Sequence, residues 1–222
     1  MKSSYTIPIA IICGGLIIAF AVYVSMPKSG AGTSNPSLIR PVTSSDHILG
    51  NPAAKVMVVE YSDFDCDFCK RFNDTMHQLI ANEAATGQVA WVYREFPLTE
   101  IHPDALSLAK AAECAAEVAG NDAFWKFADA LFAAQPANPA NLGTLAKSAG
   151  ISGDAFATCY ASESASTPLI QRIMADRQNA LDMGAQGTPY SVILVAGKSP
   201  VVVDSALPYD LMKQLVDQAL GN

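Results

Sequence analysis

The sequence predicts an α/β fold: a strand–helix–strand unit, a block of helices, then two strands and a closing helix. Three observations carry this. Lys55 to Tyr61 and Val89 to Phe96 are apolar, β-branched or aromatic runs, separated by a stretch of helical period. From Pro103 to Met183, about 80 residues show helical spacing and no strand pattern. The strand pattern returns at Pro189 to Val195.

The elements follow in order. Asp46-His47-Ile48-Leu49-Gly50-Asn51-Pro52 reads as a turn-rich lead-in. The first strand ends near Tyr61. A helix from about Asp67 to Thr86 carries Phe72, Met76, Leu79 and Ile80 on one face. Gly87 punctuates before the second strand, and two strands joined by a helix predict a right-handed parallel unit. In the helical block, Leu106, Ala109, Ala112 and Ala116 share a face of the first helix. Phe124, Trp125, Phe127, Leu131 and Phe132 mark the second as core. Asn141 to Ala149, Gly153 to Ala161 and Thr167 to Met183 complete the block. Ala196-Gly197-Lys198-Ser199 reads as a hairpin turn before a short strand from Pro200 to Asp204. Pro208 to Leu220 is an amphipathic helix with Leu211, Leu215 and Val216 inward.

Residues 1–26 stand apart. No charge lies between Lys2 and Lys28, and Ile7 to Met26 is almost wholly apolar. As a helix that run spans roughly 30 Å, one hydrocarbon core. It is expected to be an uncleaved membrane anchor, the alternative being a signal peptide cut after Ala19-Phe20-Ala21. Residues 27–45, rich in Gly, Ser, Thr, Asn and Pro, are expected to form a flexible tether to a domain at 46–222. From Ser29 onward 12 basic residues face 21 acidic ones, which argues against a nucleic-acid partner.

The chemistry centres on Cys66-Asp67-Phe68-Cys69. The pair falls where the first strand gives way to a helix. Unpaired N–H groups and the helix dipole there favour a thiolate at Cys66, the nucleophile of disulfide exchange. Cys69 is placed to close or resolve a disulfide. A zinc site would need about four ligands, and no second CxxC or close His pair occurs. No metal and no cofactor are expected. A chaperone for a soft metal ion and a non-catalytic peptide-binding module are the readings from other classes. With Cys13 inside the apolar segment, four thiols remain, and they allow three pairings. If Cys66 and Cys69 are the redox pair, Cys114 and Cys159 are left to form a structural disulfide.

Glu60, on the otherwise apolar first strand, is a candidate proton relay for Cys69. Phe64 and Phe68 flank the pair and are candidates for a rim that binds substrate. His102, just before Pro103, reads as a cap of the helical block or a group approaching the active-site face. Asp67 lies directly after Cys66, and its charge should disfavour the Cys66 thiolate.

From about Asp46 to the C-terminus the chain resembles DsbA-type thiol–disulfide oxidoreductases of the thioredoxin superfamily. Glu60 to Lys70, Phe96-Pro97-Leu98 with Ile101 to Ala105, the Ala-rich helix with Cys114, and Gly187-Thr188-Pro189 carry the resemblance. It implies a thioredoxin-like core with an inserted helical domain at about 103–183. It implies a cis bond before Pro189, with the Thr188 backbone alongside a bound substrate chain. It also implies unfolded exported proteins as substrates and a membrane partner that passes electrons to quinone. A membrane-tethered disulfide reductase is the nearest alternative.

Overall fold

The computed structural model describes residues 34–83, 85–162, 164 and 167–221. The expected anchor at 1–26 lies outside them. Among the described residues no helix is long and apolar enough to cross a membrane.

A five-stranded mixed sheet forms the centre. Its strands are β1 (His47–Gly50), β2 (Val56–Ser62), β3 (Val89–Glu95), β4 (Tyr190–Val195) and β5 (Val201–Val203), in the order β1-β3-β2-β4-β5. β2 and β3 are parallel, joined by helix α1 (Asp67–Glu83), and the other pairings are antiparallel. The helical block contains α2 (Ala105–Ala119), α3 (Asn121–Ala133), α4 (Leu142–Ser148), α5 (Gly153–Ser162) and α6 (Pro168–Asp182), and α7 (Tyr209–Leu220) closes the chain.

The alternation of a strand sorts β2 into two faces. Val56 and Val58 join Trp91, Tyr93, Phe72 and Met76 in one core, with residues of α2, α3 and α7. Val59 and Tyr61 join Val92, Phe96, Ala180 and Tyr190 in a second, beneath α6. Covered on both sides, β2 and β3 read as near-continuous apolar runs. Glu60 and Ser62 continue the Val56–Val58 face, so the strand delivers two polar groups beneath α1.

Leu211, expected inward on α7, is exposed, and Met212, Val216 and Leu220 are the buried residues there. Two further expectations change. His47–Gly50 is an edge strand rather than a turn-rich lead-in, with Ile48 opposite Val92. Gly50 ends it at φ 102°, where an added Cβ would lie 3.0 Å from the Val89 carbonyl oxygen. On its outer side Ile48 donates its N–H to Asn121 Oδ1 at 3.0 Å and accepts from Asn121 Nδ2 at 2.9 Å.

The second change concerns the expected tether at 27–45. Its described part is docked onto the domain. Asn179 accepts from the Arg40 N–H at 3.0 Å and donates to the Leu38 carbonyl at 2.8 Å. The buried Arg94 guanidinium donates to the Arg40 and Pro41 carbonyls, both at 3.1 Å, and to Asp46 Oδ1 at 2.8 Å. Arg40 pairs with Asp176. Ile39 and Val42 pack on the second core. The compact unit accordingly begins at Ser34. A buried guanidinium is costly unless its donors are satisfied, and these backbone carbonyls satisfy it.

Candidate active site

β2 ends at Ser62, and a tight turn carries the chain into α1. Asp63 Oδ1 accepts the Asp65 N–H at 2.8 Å, and the Asp63 carbonyl accepts the Cys66 N–H at 3.2 Å. The Asx-type turn sends Phe64 inward. Its ring stacks on Tyr93 with centroids 5.1 Å apart and meets Phe132 at 5.1 Å. Phe64 is therefore a core side chain, 1% exposed, and not part of a substrate rim. Phe68, by contrast, is 57% exposed, with the Arg71 guanidinium 4.4 Å from its ring centre.

Cys66 precedes the first turn of α1 and Cys69 lies within it. Both are thiols, Cys66 nearly and Cys69 wholly buried. The two differ sharply. The Cys69 thiol, which hydrogen-bonds to Cys66, is the largest influence drawing the Cys66 pKa down to about 6. Burial works against this, while the N–H groups of Cys69 and Phe68 reinforce it. Burial pushes the Cys69 thiol well above the ordinary range, and the hydrogen bond and charge of Cys66 act in the same direction. Asp67, expected to disfavour the Cys66 thiolate, is solvent-exposed at the helix start. Water screens its charge there, and the donors around Cys66 prevail.

The Thr188–Pro189 peptide bond is cis, and it brings the Thr188 carbonyl oxygen to 3.5 Å from Cys66 Sγ. Two open clefts meet at Thr188. One is shared by Cys66, Phe68, Leu98, Ile101, His102 and Gly187, the other by Phe68, Arg71, Pro189 and Ser205. Ile101, 68% exposed, adds apolar surface to the first.

Beneath the pair, Glu60 is fully enclosed and accepts the Trp91 indole N–H at 2.8 Å. The register explains the contact, because Val58 lies opposite Trp91 and Glu60 opposite Tyr93. Burial raises the Glu60 pKa to about 7, against the opposing hydrogen bond from Trp91. Ser62 Oγ lies on the same strand face as the Glu60 carboxyl, buried and without a hydrogen-bond partner among the described residues. Neither Ser62 nor Trp91 was singled out from sequence. The signal for Ser62 is its spacing of two from Glu60, which puts both on one strand face.

Glu60 gives stability a pH dependence whose sign is fixed. In the unfolded chain this carboxyl titrates near 4.5, in the folded one near 7. Between those values the unfolded chain releases the proton first, so stability falls as pH rises through the window and is level above it. The loss is about 3 kcal/mol. In Glu60→Gln it should vanish, leaving the variant more stable than the parent at pH 8 but not at pH 4. Denaturant melts at both pH values test this. An equal effect at both would show that the carboxyl is not held in its neutral form.

A mixed sheet whose parallel β2–β3 pair lifts a CxxC onto a helix start, opposite a cis-proline and beside a helical insertion, defines a thioredoxin-like fold with a dithiol site. The chain belongs to the thioredoxin family, whose profile matches residues 42–218. Solved structures agree on the fold. Alpha-DsbA1 of Wolbachia pipientis superposes with a TM-score of 0.70 at 20% identity, over 83% of this chain and 95% of that one. BdbD of Bacillus subtilis, in its oxidised form, does so at 0.67 and 26% identity, over 82% and 97%. Among curated proteins, the chain is 38% identical over 112 residues to Na(+)/H(+) antiporter NhaA 3 of Salinispora tropica. That match covers 50% of this chain and only 16% of the antiporter. A similar antiporter of Herminiimonas arsenicoxydans is 30% identical over 145 residues, 65% of this chain and 21% of its own length.

Proposed function

We propose that the protein is a membrane-tethered, extracytoplasmic thiol–disulfide oxidoreductase that makes or exchanges disulfides in unfolded exported proteins. The observation that carries this is the asymmetry of the pair: Cys66 is held at a pKa of about 6 beside the Thr188 carbonyl, while Cys69 is buried and raised. Stabilising the reduced thiolate makes the disulfide form a better oxidant. In the forward reaction a substrate thiolate attacks Sγ of Cys66 in the Cys66–Cys69 disulfide. The S–S bond breaks, and Cys69 leaves and takes a proton, for which the buried Glu60 carboxyl beneath the pair is the donor. A second substrate thiolate then attacks the substrate sulfur of the mixed disulfide and displaces Cys66 as thiolate. The substrate loses two electrons and the enzyme pair gains them. A quinone-linked membrane partner restores the enzyme disulfide. Thr188 and Phe68 position the substrate chain.

Three features support the location. The apolar segment at 1–26 suits an anchor. The Cys114–Cys159 disulfide suits an oxidising compartment. The antiporter relatives carry the matching stretch within proteins that by name move ions across a membrane. The test is the equilibrium of the Cys66–Cys69 pair with a glutathione buffer. A potential well above that of glutathione is expected for an oxidase, and one well below it would favour a tethered reductase.

A further inference from the structure

We propose that His102, fixed by the buried carboxylate of Asp63, is the cation that faces Cys66 across the substrate cleft and stabilises its thiolate. The inference rests on the reading of Cys66 as the reacting thiolate, and it assigns the charge that the CxxC motif itself lacks. Between the two cysteines stand only an acid and an apolar ring, Asp67 and Phe68.

The geometry begins at Asp63, 1% exposed, in the turn that leads to Cys66. Its Oδ2 accepts the Leu98 N–H at 2.8 Å and holds His102 Nδ1 at 2.9 Å. The backbone reinforces this, because the His102 N–H donates to the Leu98 carbonyl at 2.8 Å. With Nδ1 committed to a carboxylate, Nε2 points away from it, and among the described residues Nε2 has no hydrogen-bond partner. The ring lines the same cleft as Cys66 and Thr188, and its side chain is 22% exposed.

The charged groups around the ring are Asp63, Asp65 and Cys66, all from the turn that leads into α1. Asp104, farther along the His102 loop, acts on Asp65. Glu100, in the same loop, is taken up by Arg177 of α6. Burial opposes a charged imidazole here. The Asp63 hydrogen bond and the charges of Asp63, Cys66 and Asp65 outweigh it and hold the pKa of His102 above the ordinary value. Coupling between two titrating groups is mutual: if the thiolate favours imidazolium, imidazolium favours the thiolate. Asp63 is then a positioning residue that acts through His102.

The experiment follows the alkylation rate of Cys66 by iodoacetamide against pH in the parent, in His102→Gln and in His102→Lys. A parallel measurement titrates the His102 ring of the parent by NMR in the reduced and disulfide forms. The parent is expected to show Cys66 titrating near 6. His102→Gln should lower the alkylation rate at pH 5 about tenfold, by raising the Cys66 pKa, with His102→Lys restoring most of it. His102 should titrate higher in the reduced form than in the disulfide form. An unshifted Cys66 profile in a folded His102→Gln variant would overturn the proposal. If that variant does not fold, the ring titration decides, and equal values in the two redox states overturn it. A parent Cys66 that titrates as an ordinary thiol would instead overturn the functional reading on which the inference stands.

Discussion

Cys66→Ser will lower oxidation of a reduced test protein by at least about a thousandfold, to the uncatalysed rate, because the variant has no sulfur at the position substrate attacks. At pH 7 a thiol with the Cys66 pKa of about 6 is roughly nine-tenths thiolate, against a few per cent for an ordinary cysteine. Lower basicity also weakens a thiolate as a nucleophile, so the larger benefit falls on its departure from the mixed disulfide. Cys69→Ser separates the two roles. Cys66 remains able to attack a substrate disulfide, but no second thiol lies behind it to release the product. Mixed disulfides should accumulate, visible as reductant-sensitive adducts on non-reducing gels. Sustained turnover by Cys66→Ser, or free Cys69→Ser with no adducts, would remove the assignment.

The double substitution Cys114→Ala with Cys159→Ala will destabilise the domain by about 4 kcal/mol and lower its melting temperature by about 10 °C. The two cysteines lie 45 positions apart, join α2 to α5, and have Cα atoms 5.8 Å apart. Closing a loop of that length removes much of the freedom of the unfolded chain. The effect should be concentrated in α5. Phe156 is its one buried residue, packed on Phe127 with ring centroids 5.4 Å apart. With the crosslink gone, amide exchange should rise first in α5 while the CxxC pair keeps its titration. A loss below about 1 kcal/mol would show that packing alone holds α5.

What could be read from the sequence, and what could not, divides along physical lines. The helices and the two central strands were legible because each keeps its apolar period for several turns or pairs. The positions of Cys66 and Cys69 followed from a compact motif at a strand–helix boundary, and that of Pro189 from the resemblance of Gly187-Thr188-Pro189 to the family's proline loop. Phe64 was misplaced because adjacency to a cysteine says nothing about which way a ring turns, and the Asp63 turn decides that. β1 was missed because four residues beside turn formers carry almost no period. Residues 34–45, the described part of the 27–45 stretch, read as tether by composition. Their docking depends on Arg94, Asn179 and Asp176, far along the chain, and no local pattern records such a match. Asp63 and His102 each look ordinary alone, and only the fold puts them 2.9 Å apart.

Asn121 gives the open side of the sheet a particular character. Its amide occupies both outward backbone groups of Ile48, as a neighbouring chain would if it added to β1. A protein proposed to handle extended, unfolded chains is surrounded by segments able to lengthen its sheet. A single side chain that imitates one rung of a ladder denies them that foothold. The β1 edge is thereby closed at Ile48 to the extended chains that the Thr188 loop is proposed to bind.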